Sequence, residues 1–117
     1  MDDQQKVYRV IVAPAANDRI AEHLEFLAQI NEGAATRLLD RLMKGIRSLE
    51  TLPYRNPPYN RRYLPLGKYR YLISAKRYRI IYQIDGGIVY VDDIEDCRQS
   101  DEKSLLYTED EPNINGR

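Results

Sequence analysis

The chain has little cysteine, little histidine and no long apolar run, and each shortage excludes something. Cys97 is the one cysteine among 117 residues, so no internal disulfide can form, and a reducing, cytoplasmic setting is the expectation. His23 is the one histidine. It stands between Glu22 and Leu24 with no motif around it, which favours a place on a helix surface over general-base work. No apolar run approaches the roughly 20 residues that cross a bilayer, so no membrane partner is expected. The N-terminal stretch 1–6 is acidic and polar and lacks the apolar centre of a signal peptide. Asp and Glu are missing from Thr51 to Ile84 altogether.

That acid-free window holds Arg55, Arg61, Arg62, Lys68, Arg70, Lys76, Arg77 and Arg79, and seven of the ten tyrosines. The whole chain conceals it, because 18 basic and 18 acidic residues give a net charge of zero. Ten of the 18 acids lie downstream, from Asp85 to Glu111. A basic, aromatic segment suits an anionic target, since guanidinium groups pair with phosphate and tyrosine rings stack on bases.

Val7 to Ala13 is short and β-branched and reads as a strand. Pro14 suits the first turn of a helix, and Ile20, Leu24, Leu27 and Ile30 recur at helical spacing. Asn31, Glu32 and Gly33 form a stop signal. A second helical pattern follows in Leu38, Leu42, Leu49 and Leu52, widened by Leu39, Met43 and Ile46, and ends at Pro53. Two helices of about four to five turns, joined as a hairpin, are predicted. Residues 54–65, with Pro57, Pro58, Asn56 and Asn60, read as an irregular connector. Three strands follow, over 67–74, 77–84 and 88–94. Ala75-Lys76 serves as a tight turn, and Asp85-Gly86-Gly87 carries a hairpin signal. Residues 1–107 are expected to form one domain and residues 108–117 a polar tail.

The predicted fold is α+β in the order β-α-α-β-β-β, with the helical hairpin packed on one face of a small twisted antiparallel sheet. Strand alternation sends Tyr78, Ile80, Tyr82 and Ile84 to the core, and Arg79, Ile81 and Gln83 to the open face. By the same count Arg70 neighbours Arg79 there, and Arg98 lies four residues past the last strand. Three guanidinium groups around one site can clamp a phosphate or stabilise a phosphorane. The plainer reading is that they are solvated or pair with Asp92, Asp93, Glu95 and Asp96. Those acids alternate along a strand and do not make a metal site, so neither metal nor cofactor is expected. Tyr54, Tyr59 and Tyr63 in the connector are candidates for stacking or partner contacts.

Three segments together resemble the RelE/ParE superfamily of type II toxin–antitoxin and plasmid-stabilisation systems. They are Lys68-Tyr-Arg-Tyr-Leu-Ile, Tyr78-Arg-Ile-Ile-Tyr-Gln-Ile and the run from Ile88 to Gln99. Ala13-Pro14-Ala15 after the first strand and the Leu49 to Pro53 helix close add to the likeness, which covers about residues 7–107. The resemblance implies a growth-inhibiting toxin and a cognate antitoxin partner. Its two branches imply different targets, namely ribosome-bound mRNA for RelE-like nucleases and DNA gyrase for ParE-like toxins. Whether the chain is an enzyme stays open; if it is, it is a metal-free mRNA endoribonuclease. On that branch Arg70, Arg79 and Arg98 match cationic catalytic positions. Leu72 stands where a second lysine belongs, Ser104 stands where a His or Tyr acid–base group belongs, and Tyr107 is the nearest substitute. Arg61, Arg62, Lys68, Lys76 and Arg77 are candidates for target or nucleic-acid binding. The roughly 40 residues between Ala13 and Pro53 resemble the longer helical hairpin of the gyrase branch, which is the favoured reading. The RelE-like mRNA endonuclease is the alternative, and a degraded toxin kept as a binding module is a third.

Overall fold

A computed structural model of the protein describes residues 6–98. The chain runs through β1 (Arg9–Val12), α1 (Pro14–Ile30), α2 (Glu32–Ser48), a 3-10 turn (Pro53–Arg55), β2 (Tyr69–Ser74), β3 (Tyr78–Asp85) and β4 (Ile88–Asp96). This is the β-α-α-β-β-β order read from the sequence, with both helices against one face of the sheet. Pro14 opens α1 where its missing N–H is no loss. Asn31 alone separates the helices. Its backbone N–H closes α1 onto the Leu27 carbonyl, and its side chain accepts the Ala34 N–H at 3.0 Å to cap α2. Glu32 and Gly33, expected in the stop, are already helical.

α2 buries Ala35, Leu38, Leu42 and Ile46, and Leu49 follows them into the core. Gly45 lets this helix approach the sheet closely, because a Cβ there would stand 2.9 Å from the Ile80 Cδ1. The expected apolar stripes are wider than the buried face. Ile30 is 70% exposed at the hinge, Leu39 and Met43 are exposed, and Leu52 lies beyond the helix. No described helix is long and apolar enough to cross a membrane.

The strands stand in the order β1-β4-β3-β2. β2, β3 and β4 form the expected antiparallel meander. β1, however, pairs parallel to β4, from Arg9 opposite Ile88 to Val12 opposite Val91. The sheet is therefore mixed, not antiparallel throughout. The chain leaves β1 through two helices and two strands, and that path brings β4 back running the same way. Tyr78, Ile80, Tyr82, Val89, Val91 and Ile94 meet the helices in one buried cluster. β3 alternation holds as predicted.

His23 is a correction. It is buried, with Nε2 2.8 Å from the Ile94 carbonyl oxygen and its ring edge-on to Tyr78 at 5.2 Å. It occupies the position three residues after Ile20 on the buried side of α1, where an Nε2–H donor satisfies a strand carbonyl. A charged-neighbour reading of the local sequence does not reveal that acceptor.

Candidate target-binding surface

The open face of the sheet is organised around Glu95. On β3 Arg79 stands opposite Glu95 on β4, and its Nη1 donates to Glu95 Oε1 at 2.8 Å. The Tyr59 hydroxyl donates to the same carboxylate, 3.3 and 3.2 Å from its two oxygens. Tyr59 is itself buried. Its ring meets Tyr71 edge-to-face at 6.0 Å and lies under the Arg61 guanidinium at 4.3 Å. Burial raises the Tyr59 phenol well above its ordinary pKa, and the Glu95 charge adds to the rise. Burial works against the Arg79 charge, but the Glu95 hydrogen bond and nearby negative groups leave its pKa above the usual value.

Backbone bonds fix the connector that carries Tyr59. The Tyr59 N–H donates to the Tyr69 carbonyl at 2.7 Å, and the Tyr71 N–H donates to the Pro57 carbonyl at 3.1 Å. Residues 57–59 thus pair with the outer edge of β2, covering groups that an edge strand would expose.

The other acids are also engaged. Asp96, 2% exposed in its side chain, accepts Arg77 Nε at 3.1 Å and Nη2 at 2.6 Å. That pairing raises the Arg77 pKa against the effect of burial. Asp96 also accepts the Arg98 backbone N–H at 3.0 Å. Asp92 accepts from Gln83 at 2.7 Å, and Asp93 lies 3.6 Å from Arg19. Four neighbouring carboxylates therefore serve four separate sets of partners.

Arg70 is not where strand alternation put it. It pairs with Tyr82 across β2 and β3, so it faces the helix side of the sheet, opposite to Arg79. The turn explains the difference. A two-residue turn at Ala75-Lys76 would set Ser74 against Arg77, yet Ser74 pairs with Tyr78 and leaves Arg77 as an extra residue. A one-residue shift moves every side chain of a strand to the other face. Arg70 Nη1 donates to the carbonyls of Asn56 at 2.6 Å and Tyr54 at 3.2 Å, and its guanidinium lies 5.3 Å from the Tyr54 ring centre. It anchors the start of the connector. The same shift turns Leu72 toward Ile80 and the core.

The proposed trio is thus split. Arg79 lies on the open face, Arg70 on the helix face, and Arg98 is exposed just past β4. Lys68 sits over the Tyr69 ring at 5.5 Å, and Arg61 Nη1 donates to the Asn60 carbonyl at 3.3 Å. Arg62 and Lys76 are exposed, and so are Tyr54 and Tyr63. Tyr107 lies outside the described residues.

Residues 10–100 match the family described as the ParE toxin of the type II toxin–antitoxin system parDE. The chain belongs to the ParE toxin family. A comparison with curated proteins gives no match. Among solved structures, a chain of the chromosomal ParDE toxin–antitoxin system of P. aeruginosa has the same fold, with a TM-score of 0.63 at 10% identity. The match covers 79% of this chain and 98% of that one. In this ParE-family toxin, then, Arg79 of β3 and Arg77 in the turn before it are paired with acids of β4. One surface escaped the sequence reading. Lys6, Tyr8, Leu52, Tyr54 and Arg55 line a hollow of about 540 Å³ on the helix side. Tyr54 is a connector candidate beside Tyr59 and Tyr63, but nothing local in the sequence joins it to Tyr8, which lies 46 residues earlier.

Proposed function

We propose that this ParE-family toxin arrests growth in the cytoplasm by acting on DNA gyrase, and that a cognate antitoxin neutralises it. The observation that carries the gyrase reading is the division of Arg70 and Arg79 between opposite faces, with Arg79 held by Glu95. An RNA-cleaving site needs cations gathered around one phosphate, and these two are separated by the sheet. Leu72, which takes the place of a lysine expected in RelE-like nucleases, packs on the core and supplies no charge there. The two 17-residue helices agree with the longer hairpin of the gyrase branch. Family membership supports the antitoxin, and an acidic partner segment would complement the exposed cations.

The test pairs two assays on the purified full chain. Gyrase supercoiling of relaxed plasmid is expected to fall as toxin is added, and mRNA in translating ribosomes is expected to stay intact. Cleaved mRNA with unaffected supercoiling overturns the reading in favour of the nuclease. If neither changes while the protein is folded, a retained binding module is the better account. Co-production with the product of an adjacent small reading frame is expected to restore growth.

A further inference from the structure

Ion pairing absorbs Arg77 and Arg79, but it does not reach the cations around Tyr8 and Tyr54. Among the described residues Lys6, Arg55 and Arg70 have no carboxylate partner. Lys6 and Arg70 are set against the two rings in a fixed order. Lys6 Nζ lies 4.9 Å from the Tyr8 ring centre, Tyr8 and Tyr54 meet edge-to-face at 6.5 Å, and Arg70 covers Tyr54 at 5.3 Å. Arg55 is held by donations from Nη1 to the Thr51 carbonyl at 2.6 Å and the Leu52 carbonyl at 3.0 Å, which leaves its other nitrogens for a ligand. Among the described residues no acid lines the hollow. Leu52 sits at its edge, 59% exposed and at φ +48. This conformation favours glycine, yet an apolar side chain is displayed there.

We propose that this hollow binds single-stranded nucleic acid. An unpaired base lies against Tyr54 and Leu52, and the flanking phosphates meet Arg55 and Lys6. The volume of about 540 Å³ falls within the roughly 300–1,000 Å³ of small-molecule sites. The ring–cation alternation is the combination that single-strand binders use, because any base presents a π-face and its backbone presents charge. An acidic peptide would engage the cations and leave the rings unused. A duplex keeps its bases stacked and cannot present one. Stacking and phosphate pairing leave the sugar unread, so DNA and RNA strands bind alike. The site lies on the opposite side of the sheet from Arg79 and does not depend on gyrase being the target.

The experiment is fluorescence anisotropy of the full chain with labelled oligothymidylate, oligouridylate, a short duplex and polyglutamate. The two single strands are expected to bind within about threefold of each other, and both more tightly than the duplex. Tyr54→Ala is expected to weaken binding about tenfold, as for the loss of one stacked base. Arg55→Gln is expected to weaken binding and lower the salt slope by about 0.7. Arg37→Gln and Arg41→Gln remove equal charge from exposed positions on α2 and are expected to change little. Lys6→Gln, which breaks no hydrogen bond in the described structure, is expected to lower the salt slope even if Tyr54→Ala proves unstable. Unchanged binding by folded Tyr54→Ala overturns the proposal. So does an equal loss in the α2 variants, which marks diffuse electrostatics, or polyglutamate binding as tightly as the single strands, which marks an acidic-peptide surface.

Discussion

At Glu95 one carboxylate receives both the Arg79 guanidinium and the Tyr59 hydroxyl, and through Tyr59 it holds the connector onto the sheet. The Arg79 and Glu95 side chains are 22% and 16% exposed, so water replaces little of what either would lose. Glu95→Gln keeps the shape but leaves Arg79 without its countercharge. A loss of roughly 1–3 kcal/mol is expected, the range for leaving a buried polar group unsatisfied, measured by urea unfolding. A variant as stable as the parent would show the pair to be incidental. The sequence could reveal this pairing in outline, because Arg79 follows from alternation and the acids of β4 lie on the next strand. It could not reveal Arg70, because one extra residue in a turn decides which face β2 presents. Nor could it reveal His23, whose acceptor is a backbone carbonyl 71 positions away.

At the scale of elements, the turn that misplaced Arg70 also stores strain. Ala75 and Lys76 adopt φ of +52 and +67, and left-handed backbone of this kind costs a non-glycine residue about 1–2 kcal/mol. Lys76→Gly removes that penalty and gives back part of it as extra freedom in the unfolded chain. A net gain of about 0.5–1 kcal/mol is expected, seen as a higher melting temperature. A fall would mean that the Lys76 side chain contributes a contact to the turn. Asn31→Ala tests the opposite element junction. It deletes the side-chain cap of α2 and is expected to cost about 1 kcal/mol. The helices, the meander and the glycine hairpin at Gly86 were legible because each is written in local spacing and turn residues. The parallel pairing of β1 with β4 was not, because nothing local specifies a partner 79 residues away.

At the scale of the molecule, the acid-free window is basic in sequence more than in space. Folding lays β3 beside β4, so Arg77 and Arg79 meet Asp96 and Glu95, and acids from beyond the window balance part of its charge. Three of the window's tyrosines meanwhile become structural. Burial raises the phenol pKa of Tyr59, Tyr78 and Tyr82, with Glu95 adding to the rise at Tyr59 and the Asn56 hydrogen bond partly offsetting it at Tyr82. In the unfolded chain these phenols titrate near pH 10. Above that pH the unfolded state has lost protons that the folded state retains, so stability falls as pH rises. Below it both states are protonated and the three groups add no pH dependence. The limiting slope is about 1.4 kcal/mol per pH unit for each tyrosine still protonated in the fold. Alkaline titration followed by phenolate absorbance and far-ultraviolet circular dichroism is expected to show these ionisations arriving together with the loss of structure. Full phenolate development near pH 10 with the dichroism intact would mean that solvent reaches the three hydroxyls, and that the connector does not seal the sheet as Tyr59 and Glu95 imply.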